Sequence, residues 1–383
     1  MFVPDSTDLS PTEKERYARH LLLPDVGLEG QLRMKSASIL CIGAGGLGSP
    51  VTLYLAAAGI GRIGIVDPDV VERTNLQRQV LFSESDIGRP KIEAARDRLL
   101  GINPHLKLDL YPERFTAENA VSLLEPYDVL VDGTDNFATR YLSNDVAAFA
   151  RKPNVYGSIF RFEGQVSVFH PSAGGPCYRC MFPTPPEPGL VPSCAEGGVL
   201  GVLPGIVGSL QAAEAIKLIL GKGEPLIGKM VHVDTMTMRF REFKMRKDPE
   251  CPVCGENPSI TEPVDYEAFC GVPAAPPVVE EISVQGLKKL RDAKTPHTLL
   301  DVRGDDEIAI CEIAGSIKVP LPELEKRMSE IPQTPRVVIH CKSGVRSANA
   351  AEILLKNGFP EVTSVAGGIN AWSEEIDSEV ALY

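Results

Sequence analysis

The chain has 383 residues, enough for two or three domains with separate cores. Its 51 acidic against 39 basic side chains leave a formal net charge of −12, which excludes a broad nucleic-acid-binding surface because nothing offsets phosphate repulsion. The opening Met1-Phe2-Val3-Pro4-Asp5 lacks a charged start followed by an apolar run, so no secretory signal is expected; the nine cysteines then read as reduced thiols in a cytoplasm, used for metal or catalysis.

The first amphipathic stretch carries Arg16-Tyr17-Ala18-Arg19-His20, and a solvated helical face is the default for its arginines. Apolar runs at 39–42, 63–66, 106–110 and 129–131 then alternate with amphipathic stretches, which predicts an α/β fold with a parallel sheet covered by helices. Between the first two runs lies Gly43-Ala44-Gly45-Gly46-Leu47-Gly48. The glycines permit a tight turn and a close backbone approach to phosphate, the following helix start favours the anion, and Asp67 at the end of the second run suits ribose hydroxyls. Taken alone, this layout also describes an NAD-dependent oxidoreductase. Asn75-Leu76-Gln77-Arg78-Gln79 and Arg89-Pro90-Lys91 argue for a triphosphate instead, since a leaving pyrophosphate needs more cationic donors than helix-end amides supply. Pro90 is expected at the first position of a helix running to Leu100.

Asp132-Gly133-Thr134-Asp135-Asn136 follows the run at 129–131, at the carboxyl end of the sheet where ligands bind in this fold, and Asp135 is expected to contact magnesium or substrate. Further strands are expected at 164–169 and 230–234, with a helix over 207–220. The longest uncharged span, 197–213, is broken by Gly201, Pro204, Gly205 and Gly208 and reads as buried core, not as a membrane span.

Cys177-x-x-Cys180 and Cys251-x-x-Cys254 present four thiolates as two pairs, the pattern of a closed, tetrahedral, structural zinc site. Cys194 ends a proline-rich stretch that begins at Pro183, where a mobile loop can carry a thiol into and out of a site. Cys41 reads as core, and Cys270 and Cys311 receive no role. The six histidines show no ligand spacing.

A first domain is expected over 1–255, a semi-rigid linker rich in Pro and Ala over 256–277, and a second, smaller α/β domain over 278–383. In the second domain, strands are expected at 298–302, 316–319 and 336–340, and helices at 284–291 and 347–356. Cys341 stands in His340-Cys341-Lys342-Ser343-Gly344-Val345-Arg346, between a strand and a helix, where backbone amides and the helix dipole favour a thiolate. Only four residues separate it from Arg346, one fewer than in the cysteine phosphatases; the loop is expected to be too tight for phosphate and to suit the terminal sulfur of a persulfide. Trp372 reads as core.

On these motifs, residues 10–255 resemble the MoeB/ThiF family, the adenylating enzymes of ubiquitin-like sulfur carriers, and residues 278–377 resemble a rhodanese domain. The combination is similar to the two-domain MoeB-rhodanese enzymes. The resemblance implies ATP held by Gly43, Gly45, Gly46, Asp67, Thr74, Asn75, Leu76, Gln77, Arg78 and Lys91, with Gly46 at the α-phosphate, Asp67 on the ribose and Asn75, Arg78 and Lys91 on the triphosphate. It implies Mg2+ on Asp135 beside Asn136, and Zn2+ on Cys177, Cys180, Cys251 and Cys254. Arg19 would reach the ATP of a partner subunit, which replaces the solvated-face default and implies a homodimer. Cys194 would bond covalently to the carrier, and Cys341 would bear the persulfide. The implied partners are a small carrier protein ending in Gly-Gly and a sulfur donor, thiosulfate or a cysteine desulfurase, with no nucleic acid and no membrane. The implied activity is adenylation of the carrier's terminal glycine, then sulfur transfer to a thiocarboxylate. The rival within the same resemblance is an activating enzyme for protein conjugation, with the second domain regulatory. One departure is Glu312, where rhodaneses often carry histidine.

Overall fold

The computed structural model describes residues 8–186, 197–270, 279–332 and 335–383, which form two compact units, one running to residue 270 and the other starting at residue 279. The first unit is built on strands β1 (Ser38–Ile42), β2 (Arg62–Val66), β3 (Lys107–Tyr111), β4 (Val129–Asp132), β5 (Asn154–Phe160), β6 (Glu163–Phe169), β7 (Lys229–Asp234) and β8 (Arg239–Lys244). They form one sheet in the order β3-β2-β1-β4-β5-β6-β7-β8. The half from β3 to β5 is parallel and the half from β5 to β8 is antiparallel, a Rossmann-like sheet extended by a meander.

Both faces of the parallel half are covered, and alternate side chains divide between them. Ile39, Cys41, Ile63, Ile65, Val129 and Val131 pack with Val51, Leu55, Ile92, Leu99 and Ile219 of the helices Gly48–Ala58, Lys91–Ile102 and Leu203–Leu220. Leu40, Ile42, Val66 and Leu130 pack on the other face with Tyr141, Leu142 and Val146 of the helix Phe137–Phe149. Each such side chain, fully buried, contributes roughly 1.5–3 kcal/mol, which is why these runs read clearly as strands.

Three expectations shift. The helix expected from Val207 begins at Leu203, because Pro204 fits the first turn where no amide is needed. It is long and apolar enough to cross a membrane, yet it is a core helix: Gln211 and Glu214 are buried along with its apolar stripe. Pro90 has an extended ψ of 130° and so caps the helix Lys91–Ile102 instead of starting it. Strands β5 and β8 were not foreseen; all six residues of β8 are exposed, so no burial period marks it. Charge along this edge, with Arg239, Arg241 and Lys244, opposes pairing with another sheet.

The second unit has a five-stranded, fully parallel sheet of β9 (Glu280–Ile282), β10 (Thr298–Asp301), β11 (Ile317–Lys318), β12 (Val337–His340) and β13 (Val362–Val365), in the order β11-β10-β12-β13-β9. The helix Val345–Lys356 packs through Ala350, Ala351 and Leu354 against one face of it. Trp372 of the helix Gly368–Glu375 packs on the other, with Val284 and Leu287 of the helix Val284–Asp292. Strands β9 and β13 are additions to the expected set. The former has three residues at an edge, and the polar pair Thr363-Ser364 interrupts the apolar run of the latter.

Candidate nucleotide site, cysteine cluster and sulfur loop

The glycine loop turns at the carboxyl end of β1. Gly43 has φ +89°, and a Cβ on Gly48 would lie 2.0 Å from the carbonyl oxygen of Gly43, so this turn closes only with glycine at both places. Ala44 N donates to Asp67 Oδ2 at 2.8 Å and Asp69 N donates to Asp67 Oδ1 at 2.9 Å, which fixes the Asp67 carboxylate at the end of β2 beside the loop. Burial raises the Asp67 pKa, opposed chiefly by the nearby charge of Lys91. Lys91 is itself buried, and its Nζ pairs with Asp69 at 2.9 Å.

The segment after β2 folds back over the loop. A Cβ on Gly46 would sit 3.4 Å from Pro204 and 3.6 Å from Cγ of Arg78, and one on Gly45 would lie 3.6 Å from Nε2 of Gln79. Gly45 and Gly46 are thus brought together with Arg78, whose Nη1 donates to Thr74 O at 3.1 Å. Asn75 is buried and accepts from Glu72 N through Oδ1 at 3.1 Å, while Thr74 and Gln77 are exposed and Leu76 is partly buried. The carbonyl of Gln77 lies against Gly201, where a Cβ would approach to 2.3 Å.

Among the described residues, several buried polar atoms at this end of the sheet lack a hydrogen-bond partner: Gln79 Oε1, Asp132 Oδ2, Arg140 Nε and Gln211 Oε1. Native interiors rarely leave such atoms unsatisfied, so they are the observation that fits the site to a polar ligand such as a nucleotide. Asp132 accepts from Thr134 N and Thr134 Oγ1 at 3.0 and 2.6 Å, and burial raises its pKa against the charge of Arg140. Asp135 is exposed and offers a hard oxygen donor of the kind magnesium takes. Asn136 accepts from Thr139 N at 2.8 Å and caps the helix Phe137–Phe149.

The two knuckles come together. Cys177 Sγ lies 3.5 Å from Cys251 Sγ and 3.9 Å from Cys180 Sγ, Cys180 Sγ lies 3.4 Å from Cys254 Sγ, and all four sulfurs are within 4.8 Å of one another. Four sulfurs at about 2.3 Å from a tetrahedral zinc stand roughly 3.8 Å apart, so this donor set fits Zn2+ with no open position.

Cys341 follows β12 and is buried. Its Sγ accepts from Gly344 N at 3.1 Å and lies 3.6 Å from Ser347 Oγ, and Ser347 Oγ receives a bond from Ser364 Oγ at 2.9 Å. Gly344, with φ +104°, makes the turn and caps the following helix, which begins at Val345, two residues before the expected start. The guanidinium of Arg346 meets Glu307 edge to edge, at 2.6 and 2.8 Å. Glu312 pairs with Lys318, away from the sulfur loop in sequence.

Arg19 is exposed on the short helix Ala18–Leu21. Cys194 lies outside the described residues. Sequence reasoning did not single out Asp69, Gln79, Glu307 or Tyr383. Asp69 stood beside a quoted motif and Gln79 at the end of one, whereas Glu307 lies 39 positions from Arg346 and Tyr383 lies 76 positions from Glu307 in the network they share.

Comparison with known proteins agrees with both units. Residues 17–253 match the ThiF family and residues 283–375 match the rhodanese-like domain. A Mycobacterium tuberculosis protein named "Probable adenylyltransferase/sulfurtransferase MoeZ" is 46% identical over 390 residues, which cover 100% of this chain and 98% of that protein. The Thermus thermophilus "Sulfur carrier protein adenylyltransferase" is 55% identical over 264 residues, covering 68% of this chain and 97% of that protein. Among solved structures, Escherichia coli MccB with ATP superposes with a TM-score of 0.56 at 26% identity, covering 62% of this chain and 74% of that one.

Proposed function

Because the chain belongs to the ThiF family and joins that domain to a rhodanese-like one, we propose that it is an ATP-dependent adenylyltransferase and sulfurtransferase acting on a small sulfur-carrier protein. The observation that carries this reading is the buried Cys341 thiol, bonded by Gly344 N in the turn before a helix, in a chain that also holds the glycine loop pinned to Asp67. An adenylating site alone would suit many substrates. A loop suited to carry sulfur in the same chain supports sulfur as what the activated acyl group meets.

In the first step, the carboxylate of the carrier's terminal Gly-Gly attacks the α-phosphorus of ATP, the bond to the β-phosphate breaks, and pyrophosphate leaves. Loop amides around Gly46 stabilise charge on the α-phosphate, Asp67 accepts from the ribose hydroxyls, and Asn75, Arg78 and Lys91 neutralise the departing pyrophosphate. Thr74, Leu76 and Gln77 line the same pocket. Asp135, with Asn136 beside it, would hold Mg2+, which supplies charge neutralisation at the phosphates. Arg19 reaches the site of a second subunit in a homodimer. Lys91 turns from Asp69 to phosphate when the nucleotide is present.

In the second step, the Cys341 thiolate attacks the outer sulfur of thiosulfate, the S–S bond breaks and sulfite leaves with its electron pair; a persulfide from a cysteine desulfurase serves equally. The terminal sulfur of the persulfide attacks the acyl-adenylate carbonyl, and AMP leaves. Cys194 then attacks Cys341 Sγ, which frees the carrier thiocarboxylate and leaves a disulfide that an external thiol reduces. The cysteine cluster, with Zn2+ bound, braces the first unit and takes no part in these steps. We place the protein in the cytoplasm, where reduced thiols persist.

The experiment is exchange of labelled pyrophosphate into ATP. Exchange that depends on a carrier ending in Gly-Gly is expected. Its absence with every such carrier from the same organism would overturn the reading.

A further inference from the structure

Both cations of the sulfur loop are tied to one side chain that lies far from them in sequence. Tyr383 OH donates to Glu307 Oε1 at 2.8 Å, and the same carboxylate receives both Arg346 nitrogens. The Tyr383 ring lies under Lys342, with Nζ 4.6 Å from the ring centroid. Lys342 and Arg346 flank the loop that Cys341 begins, so Tyr383 touches one directly and the other through Glu307.

The support for Tyr383 is as well built as its reach. Its hydroxyl accepts from Arg303 Nη1 at 2.9 Å, and Arg303 is fully buried and held by Asp301, with Nη2 to Oδ2 at 2.6 Å. The segment that delivers it is folded: Ser373 Oγ donates to Val380 O at 2.5 Å, Val380 N donates to Asp377 O at 3.1 Å, and Ile376, Val380 and Tyr383 pack against the cluster containing Trp372. A tyrosine serving only to anchor the segment needs the apolar contact alone. Here its polar end is inserted in a line of alternating charge, Asp301, Arg303, Glu307, Arg346, that ends at the sulfur loop.

We infer that Tyr383 is a positioning residue for sulfur transfer at Cys341, holding Lys342 and Arg346 in place before an anionic sulfur donor arrives. Long cationic side chains lose rotamer freedom when an anion orders them, and one already held by a ring or a carboxylate loses less. The donor class this favours is a small oxyanion bearing an outer sulfur, such as thiosulfate. The inference rests on the reading of Cys341 as the sulfur-bearing residue.

The test is steady-state transfer of sulfur from thiosulfate to cyanide by the full chain, compared with Tyr383→Phe, Tyr383→Ala and Cys341→Ala. Phe keeps the ring under Lys342 and loses the link to Glu307, whereas Ala loses both. KM for thiosulfate is expected to rise about threefold with Phe and about tenfold with Ala, with kcat within about twofold, because pre-ordering acts on binding. If the Ala variant does not fold, the Phe variant decides. A lowered melting temperature with KM unchanged in the folded variants, or a fall in kcat alone, would overturn the inference while an inactive Cys341→Ala leaves the underlying reading intact. Transfer that survives Cys341→Ala would overturn both.

Discussion

Arg179 and Asp145 form a fully buried, two-toothed ion pair, with Nε 2.9 Å from Oδ1 and Nη2 2.8 Å from Oδ2. Arg179 stands between the two cysteines of the first knuckle and Asp145 lies on the helix Phe137–Phe149, so the pair joins the cysteine cluster to the cover of the sheet. Tyr266 OH and Asn144 Nδ2 also donate to the carboxylate, each at 2.9 Å, which leaves few of its acceptor sites empty. Removing one charge strands the other in a dry interior. Asp145→Asn is therefore expected to destabilise the first unit by about 3–5 kcal/mol, read by denaturant unfolding of the full chain. A loss under about 1 kcal/mol would show that the pair is solvated in solution.

The cysteine cluster makes a separate prediction. One zinc per chain is expected by elemental analysis, lost in Cys177→Ser. Chelation should lower the melting temperature of the first unit, since structural zinc sites contribute about 10–16 kcal/mol of apparent binding energy. Transfer of sulfur from thiosulfate to cyanide should persist after chelation, because that chemistry belongs to Cys341 in the other unit. Parallel loss of both would mean that the metal serves the reaction.

His340 sets a pH dependence for the second unit. It is buried on β12, with Nε2 3.1 Å from Ser316 Oγ and 3.7 Å from Asp301 Oδ2. Burial pushes its pKa down to about 4, against the opposing pull of Asp301 and with the help of Arg303. The unfolded chain, with an ordinary histidine near pH 6.5, binds more protons than the folded one between about 4 and 6.5, so stability rises with pH across that window. Going from pH 7 down to 4.5 is expected to weaken the unit by up to about 3 kcal/mol. The Arg346 and Tyr383 bonds hold Glu307 below its ordinary range despite burial, so its contribution is lost only at lower pH still. His340→Gln should flatten the curve above pH 4.5, and an unchanged slope would assign it to other groups.

At the nucleotide site, Arg78→Ala and Lys91→Ala are each expected to cut carrier-dependent pyrophosphate exchange by about a hundredfold, the scale of losing one donor to developing charge. Thiosulfate-to-cyanide transfer should be untouched. If exchange survives Lys91→Ala, the pairing of Lys91 with Asp69 is its whole role.

What the sequence discloses follows from where energy is concentrated locally. Strands β1, β2 and β4 are buried on both faces, so Ile39, Ile63 and Val129 sit in unbroken apolar runs that can be read without neighbours. Gly43 and Gly48 are legible because the turn they close is a local steric matter, and the four knuckle cysteines because their spacing is. Strand β8 is hidden because its exposed Phe240 and Phe243 pair with β7 through backbone, which leaves no pattern in the side chains. Glu307 and Tyr383 are hidden for a related reason: Glu307 meets Arg346, and Tyr383 meets Glu307, only in the folded second unit, so nothing in the residues around either one marks it.

In the proposed function, one chain both activates a carrier carboxylate and replaces one of its oxygens with sulfur from Cys341. The direct measurement is the intact mass of a Gly-Gly carrier after incubation with the full chain, Mg2+-ATP, thiosulfate and a thiol reductant. The carrier is expected to gain the difference between one sulfur and one oxygen with the native chain, and to stay unchanged with Cys341→Ala even though pyrophosphate exchange continues. Thiocarboxylate formed by Cys341→Ala from thiosulfate would contradict a role for Cys341 as the sulfur carrier.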